Sequence, residues 1–225
     1  MLKETIYLLM TTPMVLATLD DRKLQTRRRF KPQPTFKPAG ISWRGLERAT
    51  AEQFTAHALA NCPYGQAGTI ARVKENSWIW CHKQRDGDTA TGRPKWRYIP
   101  VGRHVVYSAD HPTKPSHRID ENPEHGWRLK VGRFMPGWAV RLELEVTEIR
   151  IQRIQACSAA DAVAEGLLQL PHDHFNWHWD AVAVTGFKAP WKAYKELWTK
   201  INGGESWVEN EFIWVISFKR VKGAS

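Results

Sequence analysis

The sequence predicts a mixed α+β domain built around a partly closed barrel. Three observations carry that expectation. At 225 residues the chain has the length of one elaborated domain, taken here as residues 1–225. Its clearest apolar alternations are strands lying far apart in sequence, and helical spacing is confined to short stretches between and beside them. With 42% hydrophobic and 25% charged residues, a disordered polyelectrolyte is excluded.

The elements follow in order. Thr5 to Met10 is short, bounded and rich in strand formers, and Pro13 suits the first turn of a helix running to about Asp20. Arg22 to Arg29 is polar and reads as a turn entering an extended segment. Lys31 to Pro38 holds three prolines within seven residues, which makes an extended connector. A short helix is expected within 44–60, a turn-rich loop over Asn61 to Gly68, and a strand from Thr69 to Trp80. A loop-rich insertion is expected at about 82–136, with Trp96 to Tyr98 and Val105 to Tyr107 as short strands.

Val140 to Ile151 is the strongest strand. Val140, Leu142, Leu144 and Val146 share one face; the apolar phase then moves to Ile149 and Ile151, which predicts a bulge near Thr147–Glu148. Ser158 and Asp161 have capping-box spacing for a helix ending at Ala164 or Glu165, before Gly166. Pro190 opens a helix with Trp191, Tyr194, Leu197, Trp198 and Ile201 on one face and Gly203 after its end. Phe212 to Phe218 is apolar on both faces, as a central strand requires.

Lys and Arg number 33 against 23 Asp and Glu, a net charge of +10 that favours an anionic partner, nucleic acid before membrane. Three cysteines, none in a CxxC pair, give neither a paired disulfide framework nor a zinc knuckle. No segment has the roughly 18 apolar residues of a membrane span. A reducing cytoplasm is the expected location, with no membrane partner.

The densest chemical signal is Arg22-Lys23-Leu24-Gln25-Thr26-Arg27-Arg28-Arg29, five of whose eight residues are cationic. Extended, it places Lys23, Gln25, Arg27 and Arg29 on one side and Leu24, Thr26 and Arg28 on the other, so one row could track a phosphate backbone. The competing reading is a solvated basic edge strand. In Pro171 to Asp180, His172, His174, His178 and an Asp have spacings a loop metal site could use, but no Cys stands near, and a polar aromatic loop is the simpler reading. Trp177 and Trp179 there could stack on a base. Cys62-Pro-Tyr-Gly65 reads as a structural turn, and Trp78 and Trp80 as core residues sharing a strand face.

Several short pieces occur in order across nearly the whole chain: Pro13-Met-Val, Lys23-Leu-Gln-Thr26-Arg-Arg28, Lys31-Pro-Gln-Pro, Cys62-Pro-Tyr-Gly65, Met135-Pro-Gly-Trp138-Ala, Asp161-Ala-Val-Ala-Glu165-Gly166, Leu197-Trp198-Thr-Lys-Ile-Asn202-Gly203 and Phe212-Ile-Trp-Val-Ile-Ser-Phe218. In these the chain resembles the large ASCH-domain proteins of phages and prophages. The resemblance implies a PUA-like β-barrel with flanking helices, a fold associated with RNA or modified-base recognition, and it brings no metal or other cofactor. The family's Gly-x-Lys-x-x-Thr-x-Arg element is matched by Lys23, Thr26 and Arg28, with Asp21 in place of the Gly. Small bacterial ASCH proteins are amidohydrolases that remove the acetyl group of N4-acetylcytidine. Their catalytic Lys, Thr and Glu fall on Lys23, Thr26 and Glu165.

Two functions from different classes are therefore expected. One is binding of RNA, single-stranded DNA or a modified nucleoside in a basic cleft, through Lys23, Gln25, Arg27, Arg28 and Arg29. The other is amidohydrolysis of an acylated pyrimidine nucleoside by Lys23, Thr26 and Glu165. A third possibility is a phage accessory module that binds another protein, in the host-cell cytoplasm. No residue pattern speaks to oligomeric state.

Overall fold

The structure is a computed structural model and describes residues 5–111, 113–116, 118–119, 124–180 and 186–221. Along the chain lie β1 (Thr5–Leu9), α1 (Thr12–Leu19), β2 (Gln25–Arg29), β3 (Thr35–Lys37), β4 (Gly40–Trp43), β5 (Leu46–Ala49), α2 (Ala51–Ala60), β6 (Ile70–Lys74), β7 (Ser77–Asp88) and β8 (Pro94–Tyr107). They are followed by β9 (His125–Lys130), β10 (Glu143–Arg153), α3 (Ala159–Ala164), β11 (Leu168–Leu170), β12 (Asp173–His178), α4 (Pro190–Asn202), α5 (Gly204–Val208) and β13 (Phe212–Arg220). The α+β class holds. No closed barrel is found: among the described residues the strands form four sheets, the largest in the order β1-β6-β10-β13-β2.

The chain divides into two compact units. The first comprises Met1–Ile6, Ala17–Ala71 and Glu143–Ala224. Its centre is β13, antiparallel to β10 on one side and to β2 on the other. Ile213, Trp214, Val215 and Ile216 are all at most 2% exposed, so both faces of β13 are covered, as its unbroken apolar run anticipates. The β10–β13 register shifts between Val146 and Glu148, where the sequence changes phase. Against this sheet Phe30 stacks on Trp214 with ring centroids 4.0 Å apart, and Trp43 and Phe54 close the cluster at 5.2 and 6.1 Å from Phe30. Trp43 reaches that position from the small sheet β3-β4-β5, which occupies most of the span expected as connector and helix start. Helix α2 begins only at Ala51, after a complete capping box between Thr50 and Gln53.

The second unit comprises Tyr7–Leu16 and Arg72–Leu142. Its sheet has the order β8-β7-β9 over a core of Ile79, Cys81, Ile119, Met135 and Ala139. Among the described residues of 82–136, more lie in strands than in loops. Strand β7 spans 12 residues and β8 spans 14, so the two expected short strands are parts of one long strand. Hydropathy misses it because β8 is exposed along most of both faces and has no apolar side to betray it. The single strand expected from Thr69 to Trp80 is two, β6 and β7, separated at Glu75–Asn76. Trp78 is buried as expected, while half-buried Trp80 packs edge-on against Trp127 with ring centroids 5.3 Å apart. No helix among the described residues is long and apolar enough to cross a membrane.

Candidate functional site

The site lies in the first unit, where two segments 142 residues apart in sequence meet. After α1 the chain turns tightly: Asp21 N donates to Thr18 O, and both Arg22 N and Lys23 N donate to Ala17 O at 2.9 Å. Asp21 takes the φ of +55° that a glycine adopts without strain, and Asp is among the few other residues that tolerate it. Its carboxylate is held by Arg220 at 2.7 Å. The left-handed turn before Lys23 is thus made by an Asp held in an ion pair.

The other segment is the end of α3. Ser158 caps it in a reciprocal capping box with Asp161, and Glu165 is the C-terminal cap. Leu24 N donates to Ala164 O at 2.8 Å, and Lys23 and Glu165 form an antiparallel β-bridge. Gly166 follows with φ +97°, and a Cβ there would lie 2.8 Å from Ala17 Cβ and 3.0 Å from Lys23 Cβ. Only glycine suits both that backbone and that approach.

Lys23 Nζ donates to Glu165 Oε2 at 2.5 Å and to Glu165 O at 3.0 Å. Arg27 of β2 donates from Nη1 to Glu165 Oε1 at 2.8 Å and places Nη2 3.2 Å from Asp161 Oδ1. Arg150 of β10 joins Asp161 from outside. The side chains of Lys23 and Arg27 are 0% exposed and that of Glu165 is 2% exposed. Arg27 lies over the Tyr194 ring of α4, 5.4 Å from its centroid.

Three cations thus face two carboxylates, with Lys23, Arg27 and Glu165 nearly dry and Arg150 a third exposed at the edge. The two arginines balance Asp161 and Glu165, and Lys23 carries the surplus charge. Burial is the largest influence on Lys23 and, with Arg28 and Arg27 adding repulsion, lowers its pKa despite the Glu165 contact. Burial also works against the Arg27 cation, but Glu165 above all pulls its pKa the other way, above the ordinary value. Asp161 feels burial first, yet Arg27, the Ser158 hydrogen bonds and Arg150 together hold its carboxyl below the usual range. Cys157, at the edge of the cluster, is pushed up to about 12 by burial and stays a thiol.

The structure thus brings together Lys23, Arg27 and Glu165, and it leaves Thr26 apart. Thr26 is buried in β2 on the face opposite Arg27, and among the described residues no hydrogen bond joins its hydroxyl to Lys23 or Glu165. Lys23 and Arg27 are turned inward, so the row expected to track phosphates is closed on carboxylates. Gln25 and Arg28 are half-buried, and Arg29 pairs with Glu211. Asp161, Arg150, Cys157 and Tyr194 complete the surroundings and were not anticipated as site residues. Asp161 gave a signal only as a capping residue; the others sit in ordinary strand, turn and helix patterns. Cys157 also lines a groove of about 610 Å³ with Gln155, Trp191, Lys195, Trp207 and Val208.

The histidine-rich stretch is not a loop. It contains strand β12, paired with β11, and His178 is buried at 2% exposure with Nε2 3.0 Å from Asp173 Oδ2. The side chain of His174 lies outside the described residues. Among the described residues no three His, Cys, Asp or Glu side chains cluster as metal ligands would. Cys62 is a half-buried thiol whose pKa burial raises to about 11. No family model matches the chain, and no curated protein or solved structure matches it either.

Proposed function

We propose that the Lys23–Glu165 centre hydrolyses the amide of an N-acylated pyrimidine nucleoside of the N4-acetylcytidine type, in a PUA-like (ASCH) fold. One observation carries the reading: the buried 2.5 Å contact between an amine of lowered pKa and a carboxylate. The surplus cation of the cluster is relieved when Lys23 gives up its proton. A neutral Lys23 then takes a proton from water as hydroxide adds to the acyl carbon. That proton passes along the Nζ–Oε2 contact to Glu165, which delivers it to the departing N4 as the C–N bond breaks, giving the free amine and acetic acid, which ionises to acetate. Thr26 is not in contact with either group, so this reading rests on water as nucleophile. Lys23, Arg27 and Glu165 do not line the groove at Cys157, so this reading requires the buried centre to open toward that groove for a planar base and a water to enter.

The test is acetate release from N4-acetylcytidine by the full chain. Turnover is expected in wild type and lost in Lys23→Ala and Glu165→Ala, with Thr26→Val retaining most of it. The rate should rise with pH through a Lys23 pKa below the ordinary lysine value, because the base is the deprotonated amine. Inactivity of the wild type across a panel of acylated nucleosides overturns the reading.

The three-to-two charge count favours one second reading, in which a nucleotide phosphate rather than proton loss neutralises the surplus. Saturable binding of cytidine monophosphate without turnover, abolished in Lys23→Met, would establish it in place of catalysis.

A further inference from the structure

The distal halves of β7 and β8, residues 82–88 and 94–103, form a two-stranded ribbon exposed along most of both faces. A hairpin of that kind has little to stabilise it in water, and one that exposes Trp96 at 41%, Ile99 at 38% and Val101 at 39% keeps apolar surface for something else. Between 82 and 104 the sequence places six cations, Lys83, Arg85, Arg93, Lys95, Arg97 and Arg103, against Asp86 and Asp88. Four of the ten net positive charges therefore sit on about one tenth of the chain.

The cations are sorted by face. Tyr98 stands opposite Lys83 and Trp96 opposite Arg85, so the two rings and the two cations share one side. Arg128 joins that side from β9, where it pairs with Ile79. Lys83 Nζ lies 4.4 Å from the Trp96 ring centroid, and the Arg128 guanidinium lies 4.2 Å from that of Tyr98. Asp86 is on the other side, within 3.6 Å of Lys95 and 3.5 Å of Arg97, and the aromatic side meets Asp88 only through Arg85. Trp96 and Tyr98 are two residues apart, about 6.8 Å along the strand. Tyr98 is half-buried against the Ile79–Cys81 core and Trp96 is the exposed ring, so the result is a sequence-tolerant stacking surface centred on Trp96 and edged with cations, the chemistry by which unpaired bases and their phosphates are held together.

We propose that this face of the β7–β8 ribbon binds single-stranded nucleic acid, with bases stacking on Trp96 and Tyr98 and phosphates meeting Lys83, Arg85 and Arg128. The site shares no residue with the Lys23–Glu165 centre and does not depend on its activity. In the free protein Lys83 lies over the Trp96 ring and Arg128 over the Tyr98 ring, so a base takes the ring face as the cation moves to phosphate.

The test measures binding of labelled dT20 and U20 to the full chain by fluorescence anisotropy across a salt series. Binding is expected, weakened about 5- to 150-fold by Trp96→Ala, since stacking on one aromatic contributes about 1–3 kcal/mol. The double variant Lys83→Gln, Arg85→Gln should reduce the slope of log affinity against log salt by about 1.4. Lys219→Gln, which removes an exposed cation outside the ribbon, should leave both quantities unchanged. The proposal is overturned if neither oligonucleotide binds, if Trp96→Ala has no effect, or if a 20-base-pair duplex or base-free polyphosphate binds as tightly as dT20.

Discussion

Arg27 and Arg97 both lie in strands of a basic protein, yet their charges do different things. In β2 the Arg27 side chain is fully buried against Glu165 and Asp161. In the ribbon the Arg97 side chain is 66% exposed and only loosely meets Asp86, and Arg85 is 62% exposed beside Asp88. Exposed pairs like these contribute about 0–1 kcal/mol and separate readily for a partner. A buried pair has left its water behind, so removing one member strands the other. A cluster of arginines in sequence therefore does not mark an outward-facing anion site. The number of carboxylates the fold brings to it decides.

The contrast is sharpest when the carboxylate is removed. Glu165→Gln leaves Lys23 and Arg27 buried without their shared anion, and a loss of about 3–5 kcal/mol is expected in urea unfolding. Lys23→Met should cost less, about 1–2 kcal/mol for the acceptors it leaves, because two arginines still balance two carboxylates. Equal losses in the two variants would break the charge accounting. Gly166→Ala should cost about 2 kcal/mol by forcing a Cβ against Ala17 and Lys23, and an unchanged midpoint would mean the two segments are not held so tightly. The smallest effect belongs to the ribbon: Trp96→Ala and Arg97→Gln should stay within about 0.5 kcal/mol of wild type. A larger loss there would make the ribbon a structural element rather than an arm.

Much of the first unit was legible in the sequence. The alternation of β10, its phase change at Thr147–Glu148, the apolar run of β13 and the capping box of Ser158 each follow from local rules and each appears. The pairing of Lys23 with Glu165 was reachable only through motif resemblance, because no local pattern reports a contact across 142 residues. The inward turn of Arg27 was hidden for a related reason. Its pleat position was readable, but Asp161 looked like a capping residue, and nothing in a helix start advertises a second use for its carboxylate. Strand β8 was missed because a two-face-exposed ribbon lacks apolar alternation, and β12 because Pro171, His172 and Asp173 read as loop composition.

The β-bridge between Lys23 and Glu165 has one more consequence. The spacing of amine and carboxylate is set by peptide groups, through Leu24 N on Ala164 O, and not by side-chain packing alone. The two groups can then be exchanged together as a charge-matched pair in a variant library, so that no buried charge is stranded, while the scaffold still delivers two side chains to the same point. That makes the junction a convenient place to install new chemistry by directed evolution.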